Sequence, residues 1–137
     1  MTSQRPGDPA RRDTRIAGEI RGALMFLISL SLNILVLVPV LIALGANRSA
    51  AEHAWGADTA ARRILAAVYV AILLASVALL ALQILGRDIT AWTQALLGIQ
   101  VVYKLLTVPL AGLRNPVVIS NVGIALVHVI TLVVTAG

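Results

Sequence analysis

The chain has 137 residues, of which 59% are hydrophobic, with no cysteine and a net charge of +5. Its mean hydropathy is +0.94, whereas a soluble domain is about half apolar and spaces its apolar positions by a helix or strand period. The missing cysteines exclude disulfides, thiol catalysis and thiolate metal sites. The basic residues are dispersed and form no stripe interleaved with aromatics, which excludes a nucleic-acid partner.

In chain order, residues 1–12 are polar and include Pro6, Gly7 and Pro9. They hold too little apolar surface to order themselves and are read as a disordered tail, leaving 13–137 as a single membrane domain. Asp13 or Thr14 is placed to cap a helix that runs through Ile16 and Ile20 into the first span. Four apolar runs, 23–44, 64–85, 89–110 and 117–136, each reach the roughly 20 residues that cross a bilayer core as a helix. The arginine-rich front of the first run, with Pro39 and the small pair Ala43 and Gly45, has features of a cleavable signal peptide. The run is longer than the usual h-region of about 7–15 residues, however, so it is read as a retained span.

The first loop, 45–63, carries the capping pattern Ser49-Ala-Ala-Glu52 and a stop at Gly56. A short helix is expected there, lying at the interface with Trp55 as its anchor. Asp58 or Thr59 then caps the second span. Gly86 ends that span, Asp88 or Thr90 caps the third, and Trp92 falls at headgroup level. Asn115-Pro116 opens the fourth span, because proline at the first helical position gives up only an N–H that would be orphaned anyway. The expected fold is an all-α membrane protein, a four-transmembrane-helix bundle with a short interfacial helix in the first loop.

Arg5, Arg11, Arg12, Arg15, Arg21 and Arg87 fall on one side of these spans, and Arg48, Arg62, Arg63 and Arg114 on the other. The positive-inside rule then puts both termini in the cytoplasm. Arginine outnumbers lysine ten to one; with the abundant alanine this suggests a bacterial sequence of high GC content and a multi-pass protein of the inner membrane. Val38-Pro39 and Val108-Pro109 occupy similar late positions in spans one and three. This echo is read as proline tolerance near span ends rather than as a repeat.

Alternating span directions sort the polar residues by depth. Asn33, Ser76, Gln100 and His128 fall near mid-depth. Tyr69, Lys104 and Asn121 form a second layer about 6–8 Å further out by helical rise. Gln100, Tyr103, Lys104 and Thr107 share one arc of span three, and Asn121 and His128 share a face of span four. Lys104 is the only lysine, and no carboxylate lies within a span. An ionisable group at such depth marks a functional site, while snorkelling to the headgroups is the competing reading. Pro109 removes the N–H that would bond the carbonyl of Leu105, and is expected to open a polar pocket beside the lysine. In span two, Ala67, Ala71, Ala75 and Ala78 form a small-residue stripe suited to close helix approach, inside the bundle or in an oligomer.

These features favour a non-catalytic structural or accessory subunit, in contact with the lipid bilayer and with a homo-oligomer or partner subunit as assembly states. The alternative is a binding or transport module for an anionic or carbonyl-bearing ligand. Its candidate residues are Lys104, Tyr69, Tyr103, Asn121, His128, Gln100 and Asn33. A membrane enzyme acting on a lipid or quinone ranks third. No catalytic residue, cofactor site or metal site is expected: the spans hold no carboxylate pair, no phosphate loop is present, and His53 and His128 lie in different layers.

Overall fold

A computed structural model describes residues 9–46 and 49–136. Five helices follow one another: α1 Pro9–Gly45, α2 Ser49–Trp55, α3 Ala60–Ile84, α4 Thr90–Ala111 and α5 Pro116–Thr135. Helices α1, α3, α4 and α5 are long and apolar enough to cross a membrane, and α2 is the short helix of the first loop. This is the composition of a multi-pass membrane protein.

The first helix starts earlier than the sequence pattern suggests. Residues 9–12, expected in the tail, already belong to α1; residues 1–8 lie outside the described residues. Thr14 is therefore no cap, and its hydroxyl donates back to the carbonyls of Ala10 and Arg11. Proline is tolerated in a first helical turn, where its missing N–H costs nothing. One turn further on, Arg15 pairs with Glu19 at 3.0 Å. At 37 residues and 1.5 Å per residue, α1 is about 55 Å long, well beyond a hydrocarbon core of about 30 Å.

The other ends follow local chemistry. Gly56 has φ 81° and donates to Glu52 O at 2.8 Å, closing α2. Thr59, not Asp58, caps α3 by accepting from Arg62 N. Asp58 instead takes both nitrogens of the Arg63 fork, at 3.1 and 3.0 Å, and that hydrogen bond holds its carboxyl below the ordinary value. Gly86, with φ 71°, permits the tight α3–α4 turn. There Asp88 accepts from Thr90 N at 3.0 Å, which likewise lowers its pKa. Asn115 caps α5 by accepting from Val117 N at 2.8 Å. Its amide also donates to Ala54 O at 3.2 Å, tying α5 to the end of α2.

Helix α1 packs against α3 and α5, and α5 packs against α4; α3 and α4 touch only thinly although one short turn joins them. The order around the bundle is thus α3–α1–α5–α4, with a loose seam between α3 and α4. The interior is polar: Ser29, Asn33, Ser76, Thr93, Gln100, Lys104, Asn121, His128 and Thr131 are buried, while Leu35, Leu74, Leu110 and Val133 stand exposed. Lipid offers no hydrogen bonds, so polar side chains turn inward and aliphatic ones outward. The alanine stripe also faces out, with Ala67, Ala71 and Ala78 exposed; it does not pack inside the bundle.

Candidate functional site

The buried polar residues divide into two groups at different depths. The first centres on His128 of α5, which is fully buried. Its Nε2 lies 3.1 Å from Asn33 Oδ1 and its Nδ1 lies 3.4 Å from Ser29 Oγ. Asn33 Nδ2 donates to Ser76 Oγ at 3.1 Å, joining α1 to α3. Ser29 Oγ and Thr131 Oγ1 lie 2.7 Å apart, and Thr131 also donates to Val127 O. With the Asn33 amine on Ser76, its carbonyl oxygen must accept, so Nε2 carries the proton and Nδ1 is unprotonated. Both ring nitrogens have a polar neighbour inside the protein, but the two hydroxyl protons of Ser29 and Thr131 cannot serve Nδ1, each other and Val127 O at once.

The second group lies toward the α2 end. Lys104 is only 4% exposed, so its stem does not snorkel. The ammonium points across the α4–α5 interface, where Nζ donates to Asn121 Oδ1 at 3.4 Å, and it sits 5.0 Å from the centroid of the Tyr103 ring. Asn121 Nδ2 donates to Thr107 Oγ1 at 3.4 Å, and Thr107 donates to the Lys104 carbonyl at 2.6 Å. Leu105 and Pro109 both stand on the exposed side of α4. The lysine's polar surroundings therefore come from Thr107 and Asn121, not from the carbonyl that Pro109 frees.

Lys104 and Asn121 border a cavity of about 230 Å³, together with Tyr69, Trp55 and an apolar wall of Val36, Leu37, Val40 and Ile124. A second cavity of about 410 Å³ shares Trp55, Tyr69, Val117 and Asn121 with it and adds Tyr103, Thr107, Glu52 and His53. The two lie side by side under α2, a recess divided by that shared wall. Tyr103 Oη is buried beside it without a partner, and Trp55 Nε1 lies beside the Tyr69 hydroxyl. Among the described residues, the salt-bridged carboxylates are Glu19 and Asp58, on Arg15 and Arg63, and none is paired with Lys104.

Of the seven sequence-derived candidates, the fold thus gathers Lys104, Tyr69, Tyr103 and Asn121 around the recess. Asn33 and His128 belong to the other network. Asn121 and His128 share a face of α5, yet seven residues of helix separate them by about 10 Å. Gln100 joins neither group, and both of its amide atoms are buried without a partner.

Two contributors escaped sequence reasoning. Arg62 reads in the sequence as a topology charge, but it is 5% exposed. Its guanidinium donates to Gly56 O at 2.9 Å and Leu44 O at 3.2 Å. It thus latches the end of α1 and the turn after α2 onto α3, and so holds the roof of the recess. The available signal was its place one turn into a helix that follows two helix C-termini, whose carbonyls lack donors. Ser29 is the other; it stands one turn before Asn33 on the same face of α1, a spacing visible in the sequence.

Among the described residues no cluster of His, Cys, Asp or Glu is suited to a metal ion. No family model, curated protein or solved structure matches the chain. Fold and recess define a small four-span helical membrane protein, and any narrower reading rests on the recess itself.

Proposed function

We propose that this chain is a non-catalytic inner-membrane protein, with both termini in the cytoplasm, whose recess under α2 binds an anionic or carbonyl-bearing ligand. One observation carries the reading. The Lys104 side chain is buried and lines a cavity, its ammonium has one long hydrogen bond to Asn121, and among the described residues no carboxylate is paired with it. A buried cation without a counter-charge is destabilising, and a ligand that supplies acceptors at that point relieves the cost.

A second reading is the structural or accessory subunit, favoured by the closed network around His128, in which polar side chains do nothing but join α1, α3 and α5. Homo-oligomer or partner-subunit assembly belongs with it. The outward face of α3 carries Ala67, Ala71 and Ala78, small residues of the kind that let helices approach closely.

Purified protein in detergent separates the two readings. Thermal unfolding is followed against a panel of membrane-soluble anions and carbonyl compounds, for the parent and for Lys104→Met. A ligand present at about 100 times its Kd stabilises by about 2.7 kcal/mol. The binding reading expects such a shift from at least one compound in the parent and its loss in the variant. Unfolding that no compound shifts leaves the accessory reading in place.

A further inference from the structure

We infer that the occupant of the recess is a single-chain carboxylate, an unesterified long-chain fatty acid, with its carboxylate on Lys104 and its chain along the wall of α1 and α5. This rests on the binding reading above and narrows it by the balance of donors, charge and space.

Among the described residues, the cavity beside Lys104 has no carboxylate in its wall, and Glu52 borders only the outer one. Lys104 carries three N–H bonds and spends one on Asn121 Oδ1. Trp55 lines the same cavity, its Nε1 beside the Tyr69 hydroxyl. A head group that only accepts is complementary to this set, and an ionised carboxylate offers two oxygens and no donor. An ester, ketone or quinone carbonyl also accepts, but it leaves the ammonium without a counter-charge in a low-dielectric site.

Charge count favours a carboxylate over a phosphate. Among the described residues, Lys104 is the one cationic residue that lines the cavity, and a single positive charge balances a monoanion. A phosphate monoester brings a charge of about −1.5 to −2. The bidentate fork that suits phosphate is missing from this wall, because the Arg62 guanidinium is committed to Leu44 O and Gly56 O. Glu52 and His53 border only the outer part of the recess, and both are exposed.

Space favours one chain. The cavity next to Lys104 holds about 230 Å³, below the roughly 300–1,000 Å³ of drug-sized pockets. It fits a head group and the first methylenes of one chain better than a two-chain lipid. Val36 and Val40 of α1 and Ile124 of α5 line the apolar side, which leads the chain between these helices toward lipid.

The test uses the full chain in detergent with three chain-matched probes: hexadecanoate, methyl hexadecanoate and hexadecyl phosphate. Binding is read by native mass spectrometry and by quenching of Trp55 with hexadecanoate brominated near the carboxyl, in a Trp92→Phe background. Hexadecanoate is expected to bind at least about tenfold tighter than either other probe, a difference of about 1.4 kcal/mol. Lys104→Met should remove that preference and leave the weak ester affinity unchanged. Equal binding of acid and ester, or tighter binding of the phosphate, overturns the carboxylate assignment while the wider binding reading stands. Failure of all three probes to bind overturns the carboxylate assignment, and the wider binding reading is then decided by the panel of anions and carbonyl compounds. The acid–ester comparison on the parent protein needs no variant, so a poorly folding Lys104→Met does not block the decision.

Discussion

The network around His128 and the recess around Lys104 are built from the same kinds of residue and reach opposite ends. Around His128, the side chains of Ser29, Asn33, Ser76 and Thr131 each have a polar partner within the group. Around Lys104, one long hydrogen bond meets an ammonium, and the neighbouring Tyr103 hydroxyl goes unmatched. Burial does not separate the two, for His128 is 0% and Lys104 4% exposed. What separates them is whether the polar groups satisfy one another. Satisfied polar groups hold helices together; unsatisfied ones beside a cavity are expensive unless something binds there.

Three single substitutions, one double-mutant cycle and one pH profile follow from that contrast. Lys104→Met should have the largest effect, raising the stability of the unliganded protein by about 1–4 kcal/mol, because it replaces an unmatched buried charge with an apolar chain of similar length. Detergent-solubilised thermal unfolding measures it, and a large loss of stability would show that Lys104 is already paired. His128→Leu should move the other way by about 1–3 kcal/mol, since it strands the Asn33 carbonyl. An unchanged midpoint would dissolve the distinction between the two groups.

Gln100→Leu probes the space between them. Its amide atoms have no partner, so the change should be neutral or stabilising by about 1 kcal/mol; a clear loss would reveal a partner such as a bound water. A double-mutant cycle on Asn33→Ala and Ser76→Ala should return a coupling of about 0.6 kcal/mol, the mean for interhelical hydrogen bonds in a bilayer. Zero coupling would show that the α1–α3 contact needs no polar bond.

The smallest effect belongs to the exposed turn. The Thr90 N–H on Asp88 lowers that carboxyl below its ordinary 3.8. The lowered value means that its stabilisation is complete above pH 3.8 and fades as pH falls through the folded value. Asp88→Asn keeps the acceptor and should flatten that part of the acid profile, leaving the same-signed contribution of Asp58.

Much of the fold was legible before any coordinates. Long apolar runs can only be helices across a bilayer, where every backbone group must bond within its own segment. Gly56, Gly86 and Asn115-Pro116 marked helix ends because their backbone chemistry permits little else. Depth was legible too: counting 1.5 Å per residue along alternating directions put Lys104 level with Asn121, and Asn33 and Ser76 level with His128. Rotation was not. Nothing local states which arc of a helix faces which neighbour, so Gln100, on the same arc as Lys104, was grouped with residues it does not meet. Arg62 was hidden for a related reason: its acceptors are carbonyls of Leu44 and Gly56, and a backbone acceptor leaves no mark in a sequence.

The sequence by itself therefore determined that the chain forms four membrane-length helices with polar layers at set depths, because hydropathy and helical rise are properties of each segment alone. Only the tertiary structure decided which way Lys104 points, that His128 has a polar neighbour at each ring nitrogen, and that a cavity lies beside the lysine. Those facts depend on how helices rotate and pack against one another, and packing joins residues that are far apart in the chain.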